Sequence, residues 1–422
     1  GYTDEMGEYC KRDVEVTTKL YKYLKANLKK KGFSDLSVKL EHEVADITAQ
    51  QVANGFKLDV PVATQWQTEM SDRIDEIASE LQERFPPIVT IRVSEKTGKR
   101  LKDSVEQFNV GSRQQIAKRL SKLGVKWKKK TPSGAPMVDE STLAEVDLPE
   151  AKLCAEYLGL VKLKGMVDSW LKYVDPETHR IHGYVNSCGA VTGRMTHNKP
   201  NLAQIPSLKI ARECFTVEDG NVLVGCDASG LELRCLAHYM NDDNYTKQIL
   251  EGDIHSFNQH AAGLPERFMA KTMIYGLIYG AGDAKLGQIV GGGAKEGKKI
   301  RDTFLTQLPA LRNLIEKAKG IAQRTKRING IDGRMIKVDE DYKVLNRLLQ
   351  SCGAIVMKVA VRNCCHKLDE LGIFYKLVAQ VHDEVQIEAR PEDAEVVGQI
   401  ARQGIIDAGV ELNMRCPMDA EY

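Results

Sequence analysis

The sequence predicts an α+β fold, a small antiparallel sheet flanked by long helices, and three observations predict it. Asn221-Val-Leu-Val-Gly-Cys226 carries valines at 222 and 224, the alternation of a half-buried strand, and runs into Asp227. Leu377, Ala379 and Val381 alternate on one side of His382-Asp-Glu384 and Val385 and Ile387 on the other, which reads as a hairpin with an acidic motif at its turn. Apolar residues recur with helical period over 41–54, 62–85 and 265–280.

Taken in order, the chain opens with an apolar-periodic helix headed by Tyr9-Cys-Lys-Arg-Asp13, and Lys29-Lys-Lys-Gly32 looks like its exit. Two helical patterns follow, Glu41 to Asn54 and Val62 to Phe85, separated by the short Gly55–Pro61 link. Pro86-Pro87 breaks the pattern, and Ile88 to Val93 reads as a short strand. Residues 99–130 hold eleven Lys or Arg against two acids and end in Lys126-Trp-Lys-Lys-Lys130. Such a run is either a solvated surface or a contact for a polyanion backbone. Lys295 to Arg301 reads as an exposed helix face, and the set Lys358, Arg362 and Lys367 as a solvated helix face or, less favoured, a DNA contact. Trp66, Trp127 and Trp170 read as packing residues.

Composition bounds the class without naming it. With 42% hydrophobic and 28% charged residues the chain matches ordinary globular proteins, and a net charge of +2 says little about partners. No run of about 18 apolar residues stands out, so no spanning helix and no membrane association are expected. The ten cysteines include no Cys-x-x-Cys pair, which suits a reduced setting and argues against a zinc site.

The chemistry follows from where the acids fall. A fold that joins the strand end at Asp227 to the hairpin turn at Asp383 sets two carboxylates side by side. Such a pair can hold two Mg²⁺ ions roughly 3.5–4 Å apart, the arrangement for in-line displacement at phosphorus. On the helix between them, Arg267, Lys271, Tyr275 and Tyr279 recur every fourth residue. Each step of four drifts by only about 40°, so all four share one broad face. Two cations followed by two aromatics suit a nucleoside triphosphate.

These motifs stand in a known order. Asp227-Ala-Ser-Gly-Leu-Glu-Leu-Arg234, Arg267 to Gly280 and Val381-His-Asp-Glu384 resemble motifs A, B and C of the family A DNA polymerases, in their bacteriophage replicative branch. Phe108-Asn109 with Ser112 and Gln115, Thr192-Gly-Arg194, Pro200-Asn-Leu-Ala-Gln-Ile-Pro206, Gly252-Asp-Ile-His255, and Asn346 with Gln350 extend the likeness over most of the chain beyond residue 40. The resemblance implies a right-hand polymerase fold preceded by a remnant of an RNase H-like exonuclease domain. It divides the chain into that remnant (1–35), a thumb (36–130) holding the two long helices, a first part of the palm (131–245), fingers (246–340) and the returning palm (341–422).

It also implies roles. Asp227, Asp383 and the Ala228 carbonyl are expected to bind two Mg²⁺, with Mn²⁺ as a substitute, and Glu384 to support them. Lys271 is expected on the α-phosphate and leaving pyrophosphate, with Arg267 and His255 on the outer phosphates. Glu232 closes the space beside the sugar 2′-carbon, which favours DNA over RNA synthesis, and Tyr275 can replace a missing 3′-hydroxyl bond. Arg194, Asn346, Gln350 and His382 surround the primer terminus, and Tyr279 with Gly280 packs under the templating base.

The opening Tyr9-Cys-Lys-Arg-Asp13 resembles the third motif of a 3′–5′ exonuclease. Asp13 alone cannot assemble that enzyme's metal pair, so no proofreading is expected from these residues alone. A chain beginning inside that domain is expected to be a processed product or one half of a split polymerase, with a separately encoded exonuclease portion as a partner. Only about twenty residues separate Pro87 from Phe108, where the branch that recruits a thioredoxin-type clamp carries a long insertion. Such a clamp is therefore not expected. The expected partners are primer–template DNA and dNTPs, and the expected location is the cytoplasm of an infected bacterium. Two other readings, a primer–template-binding subunit without catalysis and a 3′–5′ nuclease, are disfavoured by the full set Asp227, Lys271 and Asp383 and by the missing acidic motifs.

Overall fold

The computed structural model describes residues 1–93, 96–127, 129–131 and 133–422. The chain divides into two compact units, one of residues 1–56, 182–204 and 217–422, the other of residues 57–181 and 205–216.

The larger unit is built on a four-stranded antiparallel sheet. Its strands in chain order are β1 (Val222–Ala228), β2 (Tyr375–Val381), β3 (Glu384–Ala389) and β4 (Ala420–Glu421), and their spatial order is β2-β3-β1-β4. Along β1, Val224, Cys226 and Ala228 turn inward, so Asp227 faces out. In β2 the expected strict alternation fails. The β2–β3 register shifts between Leu377 and Ala379, and Leu377, Val378, Ala379 and Gln380 are all buried. A residue left out of the ladder bends the strand and lets neighbours share one side.

The main helices are α1 (Asp4–Lys31), α2 (Asp35–Asn54), α3 (Val60–Arg84), α4 (Pro149–Tyr173), α5 (Leu231–Met240), α6 (Ile254–Ala262), α7 (Arg267–Ile278), α8 (Val344–Glu370) and α9 (Ala394–Glu411). Helix α8 is apolar on nearly every side, because it runs through the core against α2, α5, α9 and the sheet. By length and composition, residues 341–370 could cross a membrane, contrary to the expectation from the sequence, but 83% of the apolar window is buried inside the protein. Glycines let its neighbours close in. A Cβ on Gly404 of α9 would lie 2.8 Å from the Ala360 carbonyl.

The inward residues Leu40, Val44 and Ile47 of α2 join the core around α8 and the sheet. One expectation about helices needs correction: Lys358 and Arg362 of α8 are not a solvated face. Lys358 is 2% exposed and bonds to Glu41, while Arg362 reaches Glu43 and Glu411. Helical period alone does not say which face meets which neighbour.

Helix α1 is capped by Thr3 and closed by Gly32 at φ +84°. Nearly all its residues, Tyr9 and Asp13 included, are exposed.

In the smaller unit α3 packs on α4. Asp59 caps α3 by accepting the Val62 N–H, and Trp66, Met70, Ile77 and Leu81 face inward at helical spacing. Trp66 and Trp170 lie 6.4 Å apart and Trp170 meets Phe215 edge-on, so both are packing residues. The basic run 99–130 is partly neutralised, Arg100 by Asp103, Lys118 by Glu106 and Lys129 by Glu145, while Arg119 is buried over Phe108. Lys128 of that run lies outside the described residues.

Candidate active site

Backbone pairing brings the two acidic motifs together. Asp227 pairs across the sheet with Glu384 on one side and Glu421 on the other. The Ala228 N–H donates to the Asp383 carbonyl at 2.9 Å, tying the end of β1 to the hairpin turn. His382, the first residue of that turn, has φ +58°, a left-handed conformation in which His is among the better tolerated side chains. The sequence thus spends its hairpin turn on presenting Asp383.

The electrostatics of this corner are those of a cation site. Asp227 keeps an open face to solvent, yet its pKa is pushed up to about 6, first by burial of its strand-bound base and then by Asp383, Glu384 and Glu421. Like charges held this close cost free energy until a cation enters between them. Among the described residues no three His, Cys, Asp or Glu side chains converge as a ready-made metal cage. Two carboxylates are nonetheless a donor set that Mg²⁺ takes, since that ion keeps waters and fills its shell with substrate phosphates. Glu384 also accepts a bond from Gln386.

The positive half of the site sits on α7 and the start of α6. Helix α7 runs from Arg267 to Ile278 and ends one residue before Tyr279, with Gly280 at φ +76° beyond it. Lys271 is exposed and has no carboxylate partner among the described residues. Arg267 forms a two-pronged pair with Asp253 at 2.6 and 2.9 Å, and that pair holds the Asp253 carboxyl well below its ordinary range. Asp253 also caps α6 by accepting the His255 N–H. Burial, and then Arg267 and Lys271, lower the His255 pKa, and its Nδ1 is buried without a hydrogen-bond partner. A neutral imidazole beside two cations offers a donor to an anion rather than a third charge.

Between the two halves stands Glu232, in the first turn of α5. One of its oxygens accepts from the Tyr279 hydroxyl at 2.7 Å and from the Arg194 guanidinium at 3.3 Å. Tyr275 is half-buried, and its hydroxyl pKa is raised by burial and then by Glu232 and Asp383. His382 and Arg194 line a small cavity with Met357, Lys358 and Gln380. Asn346 and Gln350 lie four residues apart on α8, both half-buried.

Sequence reasoning missed three members. Glu421 stands across from Asp227, and the Asp419-Ala-Glu421 pattern could have pointed to it. Asp253 is the resting partner of Arg267. His197, whose pKa is lowered by burial and by His382, lines the same small cavity as His382, and nothing in its local sequence marks it.

The sequence pattern of DNA polymerase family A matches residues 82–422. The chain belongs to DNA polymerase family A. The DNA-directed DNA polymerases of Enterobacteria phage T3 and Escherichia phage T7 are each 34% identical to it, over all of this chain and 75% of theirs. Both alignments run over 532 positions against 422 residues here, so at least 110 positions of each have no counterpart in this family A chain. The thermostable DNA polymerase I of Thermus aquaticus is 27% identical over 91% of this chain and 48% of its own length. Among solved structures, the POL domain of Pol1 from M. smegmatis, in complex with DNA primer-template and dNTP, has a TM-score of 0.79 over 90% of this chain and 68% of that one, at 24% identity. The α+β fold is therefore that of a polymerase domain, and the protein is a DNA-directed DNA polymerase of the phage branch.

Proposed function

We propose that this polymerase adds dNTPs to a primer 3′-hydroxyl on a DNA template by two-metal-ion phosphoryl transfer, in phage-type DNA replication. The observation that carries the reading is the Ala228–Asp383 backbone bond, which holds two mutually repelling carboxylates at the strand ends. Mg²⁺, or Mn²⁺ in its place, held by Asp227, Asp383 and the Ala228 carbonyl would lower the pKa of the 3′-hydroxyl and neutralise charge on the departing pyrophosphate.

The chain's own groups do the rest by position and charge. Lys271, unpaired at rest, binds the α-phosphate side and donates a proton to the leaving group. Arg267 exchanges the Asp253 carboxylate for the outer phosphates, an exchange eased by the exposure of the pair to solvent, which screens it. His255 donates to the same phosphates. Glu232 blocks a ribose 2′-hydroxyl, and Tyr275 stands where its hydroxyl can bond near the 3′-position. Arg194, Asn346, Gln350 and His382 probe the minor groove, where every correct pair presents acceptors at similar places. Tyr279 and Gly280 pack under the templating base, and Glu384 supports the metal site.

In this reading residues 36–130 form the thumb, and the lysines of the 99–130 run bind the duplex backbone. A thioredoxin-type clamp is not expected, since the segment from Pro87 to Phe108 is short. Proofreading is not expected from these residues alone, because Asp13, exposed on α1, cannot by itself assemble a metal pair. The test is extension of a labelled primer–template with Mg²⁺ and all four dNTPs, beside Asp383→Ala. Extension by the intact chain and its loss in the variant support the proposal; binding of primer–template without any extension overturns it.

A further inference from the structure

Behind the nucleotide side of the site lies a charge cluster that the mechanism does not use. Arg334, 4% exposed, lies on the hairpin that follows Asn329 and donates to both oxygens of Asp332 at 2.7–3.1 Å and to Glu41 of α2 at 2.6 Å. Lys358 of α8 donates to the same Glu41 oxygen at 2.5 Å. Two cations and two carboxylates from three separate parts of the chain thus cancel one another inside the protein. Ser34, just ahead of α2, adds a bond to the Asp332 carbonyl.

The cluster also borders a turn at Gly193. Gly193 has φ +77°, and a Cβ built on it would lie 2.4 Å from Nη1 of Arg334. The guanidinium therefore rests against the bare backbone of Gly193. That glycine belongs to a tight turn in which the Gly193 N–H donates to the Ala190 carbonyl and the Ala190 N–H to the Arg194 carbonyl. The next side chain, Arg194, reaches Glu232, which also holds Tyr279.

We propose that Arg334 is a positioning residue for sugar selection: held flat by Asp332 and Glu41, it seats Gly193 so that Arg194 keeps Glu232 where a ribonucleotide would clash. This rests on the polymerase reading of Glu232. Lysine at 334 keeps the charge but lacks the planar fork that spans Asp332, Glu41 and the glycine face. A small misplacement outside the chemistry can cost up to about 10²-fold, so a shift of severalfold in sugar choice is the expected scale.

The experiment compares single-nucleotide incorporation of dNTP and rNTP by the intact chain, Arg334→Lys, Gly193→Ala, Arg194→Ala and the double variant Arg334→Lys/Arg194→Ala. The intact chain is expected to incorporate dNTP strongly over rNTP. Arg334→Lys should lower that preference severalfold through KM for the two nucleotides, with kcat for the correct dNTP little changed. Gly193→Ala, which pushes on the same contact from the other side, should shift the preference in the same direction. In the double variant the Arg334→Lys effect should vanish, because the two residues act in series. An unchanged preference in both Arg334→Lys and Gly193→Ala, or additive effects in the double variant, overturns the inference while leaving the polymerase reading intact. Failure of the intact chain to incorporate any nucleotide overturns the polymerase reading and this inference with it.

Discussion

Two groups of charges sit close together in the larger unit and obey opposite rules. Arg334, Asp332 and Lys358 are buried, Glu41 is half-buried beside them, and the four are of mixed sign and bonded to one another. Asp227, Asp383, Glu384 and Glu421 are of one sign and gather at an open corner of the sheet. The first group balances its charges without an added ion, although Oε2 of Glu41 has no hydrogen-bond partner, and removing a member leaves a charge short of its counter-charge. The second is complete only with a cation between its members. Charge that the fold neutralises internally holds parts in place; charge that it leaves unneutralised at a solvent-open corner is available for chemistry.

The comparison breaks most visibly at the like-charge corner. Asp383→Ala is expected to reduce primer extension on the order of 10³-fold or more while leaving folding intact, since it relieves repulsion and loses only function. Circular dichroism beside the extension assay checks both halves. The mixed cluster should respond the other way. Glu41→Gln leaves Lys358 and Arg334 short of a counter-charge and should cost about 3–5 kcal/mol in denaturant unfolding, the usual scale for breaking a buried pair.

The boundary between the groups offers a sharper test. Tyr275 stands within electrostatic reach of Glu232, which Arg194 ties toward the paired cluster, and of Asp383 in the like-charge corner. Tyr275→Phe should lower dideoxynucleotide incorporation about tenfold or more relative to the normal substrate, the worth of one hydrogen bond to a charged group. Equal relative incorporation by both proteins would remove Tyr275 from the sugar site.

The smallest effect is in the pH dependence of stability. The Asp227 pKa is raised from an ordinary 3.8 to about 6 in the fold. The folded state therefore favours its proton, and the stability tied to that proton is fully present below pH about 4 and lost as the pH rises through about 6. Asp227→Asn removes this loss. Without divalent cations the variant should melt above the parent at pH 7.5 and match it at pH 3.5. Added Mg²⁺ should narrow the gap at pH 7.5.

Much of this was legible in the sequence for one reason: strands and helices that end in chemistry keep a strong local pattern. The alternation through Val222 and Val224 places Asp227 at a strand end, and the four-residue spacing of Arg267, Lys271, Tyr275 and Tyr279 survives as one helix and its cap. What was not legible depends on long-range packing. Lys358 looks like a surface lysine until Glu41, more than three hundred residues earlier, is folded against it. Gly193 stands in the recognised Thr192-Gly-Arg194 motif, but nothing in that motif points to Arg334, because their relation is a close approach between two loops. The β2 bulge hid for the same reason, since alternation cannot foresee a residue squeezed from the ladder.

The most direct test of the central claim is a count of Mn²⁺ ions bound to the complex with a dideoxy-terminated primer–template and the next dNTP, read by electron paramagnetic resonance. Two ions per intact chain, with fewer for Asp383→Asn, is the predicted result. The same number for both proteins would mean that the strand-end carboxylates are not what holds the metal, and the account would be wrong at its centre.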